Sequence, residues 1–106
     1  MARIPKARYY GAIPKCRGVD IRVQRSEFRG KPRLDIREHF EFRPGDPDSA
    51  SPTKKGVNVP VQDLPRLLAL LKAAEADALT GGLLELEDYE DAGLPLPAEL
   101  EVEGAA

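Results

Sequence analysis

Between Val19 and Phe42 the chain alternates apolar and polar residues with a period of two. Val19, Ile21 and Val23 are separated by Asp20, Arg22 and Gln24. Beyond the turn sequence Arg29-Gly30-Lys31-Pro32, Leu34, Ile36, Phe40 and Phe42 share one face, interrupted only by Glu38, while Arg33, Asp35, Arg37, His39, Glu41 and Arg43 share the other. Successive side chains of a strand point to opposite faces, so the pattern predicts a hairpin with one oily and one charged side. The span Arg43–Pro52 holds three prolines with Gly, Asp and Ser and predicts a loop, with room for one short irregular strand that has no defined position. Val57 and Val59 flank Asn58 and predict a further short strand, with Gly56 allowing a bend or bulge.

The period then changes. Leu64, Leu67, Leu68 and Leu71, continued by Ala74, Ala78 and Leu79, follow the spacing of one helical face. Asp63 is a candidate N-cap, Pro65 falls in the first turn where proline is tolerated, and Thr80-Gly81-Gly82 stops the helix near Leu79. One amphipathic helix on one sheet leaves leucine surface to cover, which predicts a homodimer joined through Leu64, Leu67, Leu68 and Leu71. Residues 1–18 contain two prolines, two glycines and the pair Tyr9-Tyr10 without a sustained period, and predict an irregular basic arm. Residues 80–106 predict a flexible acidic tail, leaving residues 19–79 as the folded domain.

Charge sharpens this division. Residues 1–72 carry all 16 Lys and Arg with 8 acidic groups, and residues 73–106 carry the other 10 acidic groups, so +8 and −10 make the net −2. A basic body with an acidic tail points to a polyanion partner, although solvated charge is the ordinary alternative. A chain of 106 residues fits one small domain, and its single cysteine, Cys16, cannot form an internal disulfide, in keeping with a cytoplasmic setting. No apolar run is long enough to span a bilayer.

Single-stranded nucleic acid is held by cations along its backbone and by aromatic faces against which unpaired bases stack. Phe28, Arg29 and Lys31 surround the first turn, Arg33, Arg37 and His39 share a strand face, and Lys54 and Lys55 lead into the last strand. Together they form a strip rather than a point site. Each also has a plain structural reading: Arg37 as an ion pair with Asp35, Phe28 as a core residue, the two lysines as loop charges, and His39 as a surface or stacking residue. An enzyme is not expected, because there is no phosphate-cradling glycine motif, no nucleophile elbow and only one histidine; no cofactor or metal is implied.

The run Phe28-Arg29-Gly30-Lys31, then Leu34-Asp35-Ile36-Arg37-Glu38-His39-Phe40, then Lys54-Lys55-Gly56-Val57 and an amphipathic helix resembles the positive cofactor four family of transcriptional coactivators over roughly residues 19–79. The resemblance implies an α+β fold: a curved four-stranded antiparallel sheet followed by one C-terminal helix, paired into a homodimer. It further implies binding of single-stranded or melted DNA with little sequence preference, as a transcriptional coactivator or regulator, nucleoid-associated in a bacterium. By position, Phe28 matches the family's stacking aromatic, Arg29 and Lys31 its flanking phosphate contacts, Arg37 its strand arginine, and Lys54 and Lys55 its basic pair. Phe40 stands where a tryptophan is frequent and His39 where a tyrosine is usual, but the two point to opposite faces of a regular strand. RNA as the ligand, and a dimeric protein-interaction module with incidental nucleic-acid affinity, are the alternatives.

Overall fold

The computed structural model describes residues 7–98. The first six residues of the basic arm and the last eight of the acidic tail lie outside the described residues. The chain forms two compact units, residues 1–64 and 65–106, the first built on a sheet and the second on helices.

The sheet is an antiparallel meander of β1 (Arg8–Cys16), β2 (Val19–Phe28), β3 (Lys31–Glu41) and β4 (Ala50–Pro60), in that spatial order. The β2–β3 pairing is unbroken from Val19↔Phe40 to Phe28↔Lys31, as the alternation of both segments demands. Residues directly opposite each other share a face. One face therefore carries Ile21, Val23, Leu34, Ile36, Glu38, Phe40, Val57 and Val59, and the other carries Asp20, Arg22, Gln24, Ser26, Phe28, Lys31, Arg33, Asp35, Arg37, His39 and Asn58. The core lies on the first face, where Leu34 is buried and Ile21, Val23, Ile36 and Val59 are half-buried.

Two expectations change at the sheet edges. Residues 1–18 are not an irregular arm throughout, because Arg8–Cys16 forms the edge strand β1. Register shifts between Tyr9 and Gly11 and between Pro14 and Cys16 break its period, and Pro14 is tolerated because an edge strand need not donate on its outer side. β4 is also longer than its Val57–Val59 signal, beginning at Ala50 and running through Pro52 and the Lys54-Lys55 pair. The loop shrinks accordingly. A 3-10 turn, Pro47–Ser49, closes it, with the Asp46 carboxylate accepting from Asp48 N at 3.1 Å and pairing with Arg43 Nε at 3.0 Å.

In the second unit α1 spans Leu64–Thr80 and none of its residues is buried. Asp63 does not act as a simple cap: it ends a 3-10 turn, Val61–Asp63, through which the chain enters the helix. Beyond Gly82, Leu83 N donates to Ala78 O at 2.8 Å and wraps the helix end. The segment that follows is not a structureless tail through its whole length. Leu86–Asp91 forms α2, started by a capping box in which Glu85 N donates to the Asp88 carboxylate at 2.8 Å. Tyr89 is buried, and its hydroxyl donates to Glu75 Oε2 of α1 at 3.0 Å. One aromatic ring with a satisfied hydroxyl thus holds an otherwise acidic helix against its neighbour.

Candidate nucleic-acid interface

The turn joining β2 to β3 has only two residues, Arg29 at φ 53° and Gly30 at φ 77°. Positive φ at both central positions matches the right-handed twist of a hairpin, and glycine meets it freely whereas arginine does not. The Arg29 guanidinium lies over the Phe28 ring, 5.1 Å from its centroid. That cation–π contact offsets part of the strain. Phe28 itself is 60% exposed, so it is not the core residue that was its plain alternative. A large exposed ring beside a cation is a platform on which a planar base can stack.

Across the polar face, Arg37 Nε donates to Asp35 Oδ1 at 3.1 Å and Oδ2 at 3.2 Å, and its Nη1 donates to Thr53 O at 3.0 Å. Asn58 Nδ2 donates to the same Asp35 oxygen at 3.2 Å, while Arg33 reaches Asn58 through both Nε to Oδ1 and Nη2 to the backbone carbonyl at 3.1 Å. The Arg37–Asp35 ion pair is therefore real, but it is one link of a chain running from Arg33 through Asn58 and Asp35 to Arg37. A guanidinium has five donors in a rigid plane, so anchoring some of them aims the rest. An open recess of about 510 Å³ lies here, lined by Ser26, Glu27, Phe28, Arg33, Arg37 and Asn58.

Three sequence-predicted residues, Phe28, Arg33 and Arg37, thus meet at one recess, with Lys31 directly opposite Phe28 and Arg29 over its ring. Lys54 and Lys55 are exposed in the stretch of β4 where the register shifts opposite Glu38. His39 departs from its expectation as a surface or stacking residue. It lies on the same face but is only 6% exposed, its Nδ1 3.2 Å from Arg37 O and its Nε2 3.5 Å from the Gln24 amide. A carbonyl only accepts, so Nδ1 carries the proton and His39 serves to brace the strands. Phe40 belongs to the opposite face, opposite Val19 and Ser51, and packs edge-to-face on Phe42 with centroids 5.8 Å apart. It cannot share the recess with Arg37. Ser26 and Asn58 were not singled out from the sequence; their place in the alternation marks their face, but only the cross-strand register brings them to the recess.

Behind Arg37 the strands approach unusually closely. A Cβ at Gly56 would lie 2.5 Å from Ile36 O and 2.8 Å from Arg37 Cα, so the Lys54-Lys55-Gly56 sequence ends in the one residue type that fits. On the other face, Lys15 of β1 forms an ion pair and hydrogen bond with Glu38, the residue that interrupts the apolar stripe. That hydrogen bond holds the Glu38 carboxyl below the usual carboxylate range, with Lys55 adding to the effect, and holds the Lys15 ammonium above its ordinary value. Among the described residues there is no group of three or more His, Cys, Asp or Glu side chains that could hold a metal, and Cys16 is a free, exposed thiol. Also among the described residues, no helix is long and apolar enough to cross a membrane.

Residues 17–70 match the family model described as Transcriptional Coactivator p15 (PC4). The chain belongs to the PC4 family. PC4 is a DNA-binding family of transcriptional coactivators, and the α+β arrangement of four antiparallel strands followed by a helix is its fold. Among solved structures, the chain is similar to BPSL1147, a PC4 homolog from Burkholderia pseudomallei, with a TM-score of 0.56 and 23% identity over 65% of this chain and 97% of that one. It is also similar to the bacteriophage T5 homolog of PC4, with a TM-score of 0.55 and 20% identity over 86% of this chain and all of the other. The T5 protein is implicated in recombination-dependent DNA replication. A search of curated proteins found no match. The PC4 match begins at residue 17, so the described edge strand β1 precedes it.

Proposed function

We propose that the protein is a homodimeric binder of single-stranded or locally melted DNA that acts in transcription or DNA maintenance and performs no chemistry on its ligand. Bases stack on Phe28, and phosphates meet Arg29, Lys31, Arg33, Arg37, Lys54 and Lys55. The observation carrying this reading is the recess in which an exposed aromatic ring faces two braced guanidinium groups. Stacking accepts any base because every base has a π-face, and phosphate contacts read no sequence, so the binding has little sequence preference. A duplex buries its base faces and forfeits the stacking contribution.

The dimer reading rests on how little the single chain buries. Leu34 and Tyr89 are its only buried hydrophobic residues among those described, and Leu68, Leu70 and Leu71 of α1 are exposed. A second copy contributing the same helix would cover Leu64, Leu67, Leu68 and Leu71 symmetrically.

Fluorescence anisotropy of the full chain against matched single-stranded DNA, duplex DNA and RNA, at several salt concentrations, tests the reading. Preference for single-stranded DNA is expected, with a log-log salt slope of about 0.7 per phosphate contact and so roughly 4 for six cations. Phe28→Ala should weaken binding by about 5- to 150-fold, the range for one lost base stack. Equal, weak binding to both DNAs that vanishes at physiological salt would refute it and favour a protein-interaction module. Tighter binding to RNA would move the ligand class to RNA.

A further inference from the structure

We propose that Tyr9, on the edge strand β1, is a second base-stacking platform and that the bound strand runs from Phe28 diagonally across β2 to β1. This rests on the reading of the polar face as the nucleic-acid surface. Tyr9 lies opposite Gln24 in the β1–β2 ladder, and Gln24 lies opposite Asp35, so the tyrosine ring stands on the face that carries Phe28, Arg33 and Arg37. It is 55% exposed, close to the exposure of Phe28. Its neighbour Tyr10 differs, because it falls within the register shift between Tyr9 and Gly11 and carries the Arg8 guanidinium 5.6 Å from its ring centroid.

The order of side chains along this face fits a polynucleotide. Moving down the β2–β3 ladder from the turn, Phe28 comes first, then the row of Ser26 and Arg33, then the row of Gln24 with Tyr9, then the row of Arg22 and Arg37. Ring, guanidinium, ring and guanidinium alternate as base and phosphate alternate in a single strand. Ala12 stands opposite Arg22 on β1, and its small side chain leaves the lower guanidinium row uncrowded from that side. Four residues along a strand and one strand spacing across separate the two rings by about 14 Å, or some four stacked nucleotide steps of about 3.4 Å. The rings therefore serve different bases of one strand.

The test is anisotropy with an oligothymidine of about 16 nucleotides, long enough to cover both rings. Tyr9→Thr keeps strand preference while removing the ring. It should weaken binding at least about fivefold, Tyr9→Phe should stay within about twofold of the parent, and Tyr10→Thr should do likewise. Tyr9→Thr binding as well as the parent while Phe28→Ala weakens would overturn the second platform and leave the first standing. Both variants binding normally would overturn the whole polar-face reading. An equal loss in Tyr9→Phe would overturn stacking in favour of the hydroxyl. Should Tyr9→Thr unfold, photocrosslinking of the unaltered chain to a halogenated-uracil oligonucleotide decides: an adduct on Tyr9 is expected, and adducts confined to the turn around Phe28 overturn the proposal.

Discussion

Gly56→Ala is a change of one methyl group whose consequences can be worked from the strand geometry. The added Cβ would stand 2.5 Å from Ile36 O and 2.8 Å from both Arg37 Cα and Cβ, two of these three being backbone atoms and none the far end of a flexible side chain. Ordinary contacts lie near 3.5 Å, so β4 must move away from β3 by close to 1 Å. That motion stretches the Arg37 Nη1 to Thr53 O hydrogen bond, 3.0 Å long, in the irregular stretch that sets the guanidinium. Overpacking of this kind costs about 1–3 kcal/mol, and the smaller unfolded-state freedom of alanine returns about 0.4–1 kcal/mol. A net loss of about 1–2 kcal/mol lowers the thermal midpoint by about 4–16 °C in a domain of this size. Midpoints should be taken at one protein concentration, since a dimer's stability depends on it. Gly11→Ala is the control, because a Cβ there meets nothing within 4 Å; it should match or slightly exceed the parent. A Gly56→Ala midpoint at or above the parent's would refute the close-approach reasoning, and an unchanged single-strand affinity would show that Arg37 does not depend on this contact.

Other expectations follow from the turn, the helix and the Lys15–Glu38 pair. Arg29→Asn places a residue tolerant of positive φ in the turn and should stabilise the fold by about 1 kcal/mol while reducing the salt slope of DNA binding by about 0.7. A less stable variant with an unchanged slope would contradict both halves of that statement. Leu71→Glu puts a charge on the exposed leucine stripe of α1 and should yield a monomer by light scattering, with the secondary structure retained in circular dichroism. A dimer of unchanged mass would remove α1 from the interface. Because the Glu38 carboxyl is held below its ordinary range, its contribution to stability is present above the unfolded-state value and fades as pH falls through the folded one. The raised Lys15 contributes below its unfolded value and fades as pH rises through the folded one. Glu38→Gln should flatten the acid limb of a midpoint-against-pH curve, and an acid limb identical to the parent's would assign it to other carboxylates.

How much of this was legible depended on whether the chain kept a regular beat. β2 and β3 were readable because their pairing runs ten residues without a shift, so a period of two survives intact. β1 was not, since two register shifts within nine residues reset the alternation and Pro14 argued against a strand. The folded part of the acidic segment hid for another reason. One ring, Tyr89, against one carboxylate of α1 holds α2 in place, and no local composition announces a partner 14 positions back.

The sequence by itself determined the hairpin and its oily and charged sides, a glycine turn within Arg29–Pro32, the leucine face of the helix, the charge split and the family motifs. These are local properties, written in spacing and residue type. Tertiary structure alone decided which residues meet: Arg33, Asn58, Asp35 and Arg37 form one hydrogen-bonded chain because cross-strand register sets neighbours that lie up to 25 positions apart. It also placed His39 in a buried brace and Phe40 on the far side of the sheet from the recess. Burial and partnership depend on what other segments bring alongside. A strand's own pattern gives its faces but not its company.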